Sequence, residues 1–433
     1  MAIGKEGNVK WVDGLRGLAS FLVVLTHIAR GFDPELFGPA VSENGPARFL
    51  QWPYVRVLVQ GRIGVAIFSM VTGYVCALKP IKLIRQGNRE AALMSLTKSS
   101  LRRIPRLVLP TTIATLIIWV LCMLGAFEIA KHSGPGWTAN TSPTRYGTVY
   151  KNVEHLVKEI IHTWTRNTNE YDPNQWTLLP LLKGSMIVYV FIVATSTLAS
   201  RFRMMAALCM WFYYFLSNDA AFGMMFFWGV FLSELQNTPS ANDFLTARPI
   251  ISRVICVSSM VFGLCIASFP EGNTEWAAWS NNMRIIFDYI LPKGADYSRF
   301  STALGLQFIA VGLHCSPLLR DLLSNRWFLW LGKQSFAVYL LHGTIPRTVL
   351  CYMLFGLKVP EDHQNEEGNM VATHFDQPTG LQLLICTAFW LPLNYVAAYG
   401  WTTYVDPWCA RVTEKLVGYV KEEDEQIIAV ERK

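Results

Sequence analysis

Two ionisable side chains stand in an otherwise apolar stretch near the start of the chain, and their types and spacing suggest chemistry. The stretch from 14 to 32 reads GLRGLASFLVVLTHIARGF, with Arg16 near its start and His27 towards its end. In a helix this eleven-residue separation is three turns plus about 20°, so both project from one face, roughly 16 Å apart. A histidine near neutrality is the usual general base, and the planar fork of an arginine suits phosphate recognition.

Ionisable groups inside a membrane usually face the interior of the helix bundle or a polar cavity. Taken one at a time, these two also have structural explanations. Arg16 could be a helix-end residue whose charged head reaches the interface, and His27 a histidine satisfied at the interface. Asp13 either caps the helix or pairs with Arg16. The shared face at two different depths favours a joint functional role.

The elements that must position these side chains are transmembrane helices. Of the 433 residues, 52% are hydrophobic and only 16% are charged, whereas a soluble protein carries about 25% charged residues. A spanning helix needs about 20 mostly apolar residues. The expected fold is an all-α, polytopic transmembrane helix bundle. We predict ten spans, at about 14–32, 62–78, 106–127, 178–198, 203–217, 220–236, 249–269, 301–318, 333–355 and 380–404.

The charges between the predicted spans indicate their orientation. The segment 79–106 contains eight Lys or Arg and one acidic residue, Glu90, which leaves a net charge of +7. Two later connections on the same side are also basic. Because short basic loops face the cytoplasm, both termini are predicted to be cytoplasmic. We interpret 1–410 as the transmembrane domain and 411–433 as a charged cytosolic tail.

Several classes of function lack support in the sequence. There is no GxxxxGK[ST], GxGxxG or HExxH pattern, which argues against nucleotide hydrolysis, hydride transfer and zinc-protease chemistry. The nine cysteines are scattered singly, without a metal-like Cys/His spacing, so no metal site is expected. The expected partners are the lipid bilayer and small molecules, with no nucleic acid.

Five stretches, in chain order, resemble the acyltransferase 3 family of integral-membrane acyltransferases. VDGLRGLASFLVVLTHIARGF is similar to the family's first helix, in which ten residues separate an Arg and a His. The other four are GRIGVAIFSMVTGYVCAL (61–78), QWTLLPLLKGSMIVYV (175–190), QSFAVYLLHGTIPRTV (334–349) and WLPLNYVAAYGWTTYVDPW (390–408), the last resembling fungal members. One departure stands out: counted from Trp176, the place where the family commonly has a Glu is Leu181.

The resemblance implies transfer of an acyl group, often acetyl, from acyl-CoA to a hydroxyl. We expect His27 to deprotonate the acceptor hydroxyl, with Arg16 as the second catalytic residue and the contact for the CoA phosphates. Acyl-CoA is then a co-substrate, and no permanently bound cofactor is expected. The fungal-like stretches suggest a small acceptor such as a terpenoid or a polyketide. The candidate substrate-binding residues are Arg62, Trp176, Lys183, Tyr339 and His342.

Other interpretations stay open. A glycan acceptor is the alternative within the same class, and Arg62 is equally well explained as an interface anchor. A proton-coupled transporter would use Arg16, His27 and His342 as a relay, although the paired halves common in transporters are not visible in the sequence. The missing Glu at Leu181 keeps a non-catalytic membrane scaffold open. The expected location is the endoplasmic reticulum or another endomembrane.

Overall fold

The computed structural model describes residues 9–134, 136–364 and 370–431. These residues form an all-α, polytopic helix bundle, as predicted, with one antiparallel hairpin of β1 (His363–Gln364) and β2 (Met370–Val371). In chain order, the α-helices of the described residues are α1 (Lys10–Phe32), α2 (Arg62–Arg85), α3 (Arg89–Met123), α4 (Glu128–Lys131), α5 (Trp137–Asn140), α6 (Val149–Thr165), α7 (Leu178–Ala194), α8 (Ser200–Leu216), α9 (Gly223–Gln236), α10 (Pro239–Ala247), α11 (Pro249–Ala267), α12 (Ala278–Ile290), α13 (Tyr297–Cys315), α14 (Pro317–Leu323), α15 (Arg326–Leu341), α16 (Cys351–Phe355) and α17 (Gly380–Glu431). Short 3-10 helices cover Pro34–Phe37, Phe49–Gln51, Val55–Val59, Pro173–Thr177 and Thr274–Trp276, and a π-helical turn covers Pro346–Leu350.

Six helices of the described residues are long and apolar enough to cross a membrane. They are α1, α2, α3, α7 with the turn before it, α11 and the first 41 residues of α17. The number rises to eight if each of two bent helix pairs is counted as one span. The chain bends by 104° between α13 and α14, and by 63° between α15 and Pro346–Phe355. The predicted fifth and sixth spans form α8 and α9, of 17 and 14 residues, which is shorter than the roughly 20 residues that a span needs. The number ten and the orientation therefore stay predictions.

The basic segment 79–106, predicted to connect the second and third spans, is mostly helical. The helix α2 continues through Lys79 and Lys82 to Arg85, and α3 begins at Arg89. The break falls at Gly87, whose φ of +80° lies in the left-handed region that glycine enters without steric cost. Lys and Arg are good helix formers, so a basic charge pattern does not exclude a helix.

The contacts divide the chain into two compact units. Unit 1 consists of Met1–Ala92 with Lys183–Phe336, and unit 2 of Leu93–Leu182 with Ala337–Lys433. In unit 1, α2 packs on α9, α11 on α13 and α1 on α2, around a core that includes Ala19, Ile67 and Met224. In unit 2, α16 packs on α4 and α17.

Within unit 1, the backbones of α1 and α15 are in direct contact. A β-carbon at Gly17 would lie 2.5 Å from the main-chain nitrogen of Gly332, and one at Gly332 would lie 2.1 Å from the carbonyl oxygen of Asp13. No side chain tolerates such overlap with backbone, so only glycine allows this approach. As a result, Arg16 lies directly beside α15.

We expect Gly17→Ala to lower the free energy of unfolding by about 1–3 kcal/mol, because the added methyl group overpacks the contact with Gly332. Thermal unfolding of the purified protein in detergent, followed by intrinsic fluorescence, measures the change. Gly400→Ala in α17 is the matched control, because nothing lies within 4 Å of a β-carbon there. Equal unfolding temperatures for the two variants would contradict the close approach of α1 and α15.

Candidate functional site

The first group of predicted site residues lies on α1. Arg16 and His27 belong to one continuous helix from Lys10 to Phe32, so their spacing places them on one face, as expected from the sequence. Both side chains are half-buried, and the Arg16 side chain is 36% exposed. The helix therefore offers an imidazole and an accessible guanidinium on one face, roughly 16 Å apart along its axis.

Groups from two helices hold Arg16. Its Nη1 lies 3.5 Å from Oδ1 of Asp13, one turn earlier, and its Nη2 donates a hydrogen bond of 3.3 Å to Oγ of Ser335 on α15. Ser335 is buried and donates in turn to the carbonyl oxygen of Gly332 at 2.8 Å. Asp13 thus pairs with Arg16, whereas the helix begins after Val9 without a side-chain cap. Ser335 belongs to the stretch 334–349, so this late motif contacts α1 through the hydrogen bond with Arg16.

Beyond His27, the same helix ends in a network of ion pairs. Arg30 donates two hydrogen bonds of 2.9 and 3.0 Å to the carboxylate of Glu271. Arg62, the first residue of α2, lies 3.2 Å from the same carboxylate and 2.5 Å from that of Asp296. The Glu271 side chain is only 9% exposed, and its place between two guanidinium groups offsets the cost of burying its charge.

The ion-pair network also shifts the pKa of Asp296, the more exposed of its two carboxylates. Burial acts to raise the pKa of Asp296, but the Arg62 guanidinium and its hydrogen bond outweigh burial and lower that pKa. Arg62 therefore ties α2 to the segment before α13, and this tie accounts for its position without a substrate. Arg30 and Glu271 were not singled out from the sequence. The available signal for Arg30 was its place three residues after His27, on the same helix.

The second group of predicted site residues belongs to unit 2. The Tyr339 hydroxyl lies 2.9 Å from Oγ1 of Thr177 and donates a hydrogen bond to the carbonyl oxygen of Asn174. These contacts hold the 3-10 turn Pro173–Thr177, which carries the half-buried Trp176. Two motifs that lie 162 positions apart in the sequence therefore meet in one unit.

His342 follows on the same segment and is 1% exposed. Its Nδ1 lies 2.6 Å from the carbonyl oxygen of Tyr339. Because a carbonyl oxygen only accepts hydrogen bonds, Nδ1 must carry the proton, and Nε2 of the neutral ring then has the lone pair. His342 is thus oriented as a proton acceptor in the interior of unit 2.

A fully buried ion pair lies near His342. Arg347 stands 3.6 Å from Oδ1 of Asp172, both side chains are 0% exposed, and Arg347 also donates at 2.6 Å to the carbonyl oxygen of Gly343. Burial raises the pKa of Asp172 to about 6, although Arg347 and hydrogen bonds act to lower it. The motif comparison shows the missing carboxylate at Leu181, but nothing in the sequence indicates this buried one nine positions earlier.

Lys183 is not placed with the other unit 2 candidates. It is the first residue of the second segment of unit 1, and its side chain is exposed on α7. Leu181, two residues before it, is a half-buried leucine that offers no polar atom for chemistry. The substrate-binding role of Lys183 stays a prediction.

We expect Glu271→Gln to lower the free energy of unfolding by about 1–3 kcal/mol, because Arg30 and Arg62 lose a charged, hydrogen-bonded partner. Thermal unfolding in detergent measures the loss. The matched control is Glu275→Gln, an exposed carboxylate in the same connection, which should leave the unfolding temperature unchanged. Indistinguishable unfolding curves for the two variants would contradict a stabilising network.

Comparisons with known proteins place these features in context. Residues 9–399 match the family described as "Acyltransferase domain". "O-acetyltransferase PaAT-1" of Phomopsis amygdali is 28% identical, with a match that covers 79% of this chain and 73% of that protein. "Acyltransferase clz18" of Cochliobolus lunatus is 23% identical over 77% of this chain and 81% of its own length. "Acyltransferase R4" of a Phoma species is 22% identical, with shares of 77% and 82%. No solved structure matches the chain.

Proposed function

Because the chain belongs to the acyltransferase family matched over residues 9–399, we propose that it is an integral-membrane O-acyltransferase. It transfers an acyl group, foremost acetyl, from acyl-CoA to a hydroxyl of a small acceptor molecule. The observation that carries the proposal is the placement of Arg16 and His27 on one face of the continuous helix α1. The relative from Phomopsis amygdali, named as an O-acetyltransferase, supports the acetyl group.

In the proposed reaction, His27 acts as the general base. Its neutral imidazole takes the proton of the acceptor hydroxyl while the hydroxyl oxygen attacks the thioester carbonyl. The tetrahedral intermediate collapses to the ester, and the C–S bond to CoA breaks. The imidazolium then gives its proton to the departing thiolate, so His27 returns to its neutral form and the products are the acyl ester and CoA.

Arg16 is the proposed contact for the phosphates of the donor. Asp13 and Ser335 fix its guanidinium at the start of α1, and its exposed fraction allows a charged ligand to approach. The thioester arm of acyl-CoA would then extend along α1 towards His27, roughly 16 Å deeper. The basic segment 79–106 supports a cytosolic donor side, and an endomembrane such as the endoplasmic reticulum is the proposed location.

The acceptor proposal follows from resemblance to fungal proteins. The three relatives are named only as acyltransferases or an O-acetyltransferase. These names specify no acceptor, so the proposed acceptor class rests on the resemblance to fungal members. We propose a hydroxylated natural product of the terpenoid or polyketide class, and a panel that also contains glycans separates the two kinds of acceptor.

We expect His27→Gln to reduce acetyl transfer by at least about 100-fold, because the attacking hydroxyl loses its base. The assay uses detergent-solubilised protein, labelled acetyl-CoA and the panel of hydroxylated compounds. His363→Gln, at an exposed position of β1, is the matched control and should keep wild-type activity. Transfer at the wild-type rate by His27→Gln would remove His27 from the mechanism.

We expect Arg16→Gln to raise KM for acetyl-CoA by about 10- to 100-fold, the loss that corresponds to one charge-assisted hydrogen bond. The effect on kcat should be smaller, because Arg16 lies far from the proposed base. Steady-state kinetics with varied acetyl-CoA measures both constants. Arg411→Gln removes an exposed charge of α17 and serves as the control. An unchanged KM in Arg16→Gln would exclude Arg16 from the donor site.

A further inference from the structure

The helix α6 (Val149–Thr165) of unit 2 has an unusual distribution of polar and apolar side chains. A surface helix of a soluble protein buries its apolar face, whereas α6 buries polar residues, among them Asn152, Glu159 and Thr163. Its largely exposed apolar side chains are Val149, Tyr150, Val153, Val157 and Ile161. A lipid-facing apolar side explains the exposed stripe, and the polar face packed inside unit 2 then needs its own explanation.

Three potential metal ligands converge at that face, and the side chains of His155, Glu159 and Glu170 are 12%, 1% and 59% exposed. His155 and Glu159 lie one turn apart on α6, and Glu170 comes from the segment that follows the helix. Nε2 of His155 lies 3.1 Å from Oε2 of Glu170 and 3.8 Å from Oε1 of Glu159, and one ligand atom from each residue lies within 4.8 Å of the others. Zinc–ligand distances of about 2.0–2.2 Å in a tetrahedral site put neighbouring ligand atoms about 3.3–3.6 Å apart. The spacing is therefore close to that of a formed site.

Glu159 supplies a second, independent observation. Its side chain is 1% exposed, and Oε2 accepts a 2.8 Å hydrogen bond from the main-chain N–H of Glu170. The buried Oε1 accepts no hydrogen bond from the described residues, although Nδ1 of His162 lies 3.2 Å away. A buried carboxylate oxygen without a hydrogen bond is costly, and a bound cation would satisfy it.

Tyrosine hydroxyls surround the cluster as outer partners. Nδ1 of His155 lies 3.0 Å from the hydroxyl of Tyr171, an arrangement that fixes the ring and directs Nε2 towards the carboxylates, as in metal sites with a hydrogen-bonded histidine. The Tyr146 hydroxyl donates a 2.8 Å hydrogen bond to Oε2 of Glu170.

The cluster borders a cavity of about 310 Å³. His155 and Glu170 line it together with Tyr146, Tyr171 and residues 140–144. A cavity of this size holds several water molecules. An ion bound by the three side chains would therefore have a free coordination position open to water or to a small ligand.

We propose that His155, Glu159 and Glu170 form a binding site for a divalent transition-metal ion of the Zn²⁺ type, with its fourth position open to this cavity. Imidazole nitrogen combined with carboxylate oxygen suits Zn²⁺, and two carboxylates balance the charge of the ion. The site revises the expectation of no metal, which rested on the absence of a Cys/His spacing. Glu170 lies in the segment after α6 and belongs to no recognisable metal-binding motif, so its position beside His155 and Glu159 follows from the fold alone.

The test uses the full-length protein, purified in detergent, stripped with a chelator and dialysed against Zn²⁺. We expect about one tightly bound ion per chain by elemental analysis and a higher unfolding temperature with Zn²⁺. Glu159→Gln should weaken Zn²⁺ binding in calorimetry by at least about tenfold. Glu154→Gln is the matched control, because Glu154 is an exposed carboxylate on the same helix, and it should bind as the wild type does.

Two results would overturn the proposal. Folded wild-type protein that retains no stoichiometric Zn²⁺ after dialysis would show that the cluster is only a hydrogen-bonded network. Unchanged binding in both Glu159→Gln and His155→Gln would place the ion elsewhere, and the second variant covers the case in which the first does not fold. None of these measurements depends on acyl transfer, so the result stands apart from the proposed function.

Discussion

A charged side chain inside an apolar helix bundle must have a partner, since an unpaired buried charge costs several kcal/mol. In unit 1, the side chains of Arg203 and Glu234 are 1% and 0% exposed and form an ion pair. In unit 2, the fully buried Arg347 faces Asp172. The first pair joins the consecutive helices α8 and α9, and the second joins segments 175 positions apart. The requirement to neutralise these charges therefore also determines which helices and turns pack together.

The helix α1 shows how this requirement shapes the candidate site. Arg16 at one end is tied to Ser335 of α15, and Arg30 near the other end is tied to Glu271. These two ties limit rotation and sliding of the helix between them, where His27 lies. The position of the His27 backbone is therefore restrained by contacts of residues on both sides of it. A change at Glu271 would act on His27 through the position of the helix, even without direct contact.

The features that could be predicted from the sequence are the local ones. Hydropathy identifies the apolar helices, and the helical period alone puts Arg16 and His27 on one face. The partners of these helices could not be predicted, because nothing in the sequence near Glu271 or Ser335 indicates which distant residue each contacts. The helical backbone of the basic segment 79–106 could not be predicted from its charge for a related reason: charge carries information about orientation, whereas the helix formers of the segment and the single break at Gly87 determine its backbone.

The helix α6 shows a different limit of sequence reasoning, which concerns the direction of burial. Its periodicity reveals an apolar and a polar face, and the rule for soluble proteins assigns the apolar face to the core. In α6 that assignment fails, because Val153, Val157 and Ile161 are exposed whereas Asn152, Glu159 and Thr163 are buried. There the buried Glu159 and the largely buried His155 pair with each other and with the exposed Glu170. The polar cluster of α6 could not be predicted from the sequence for this reason: the rule for soluble proteins assigns its polar face to the surface, whereas the fold packs most of that face inside unit 2.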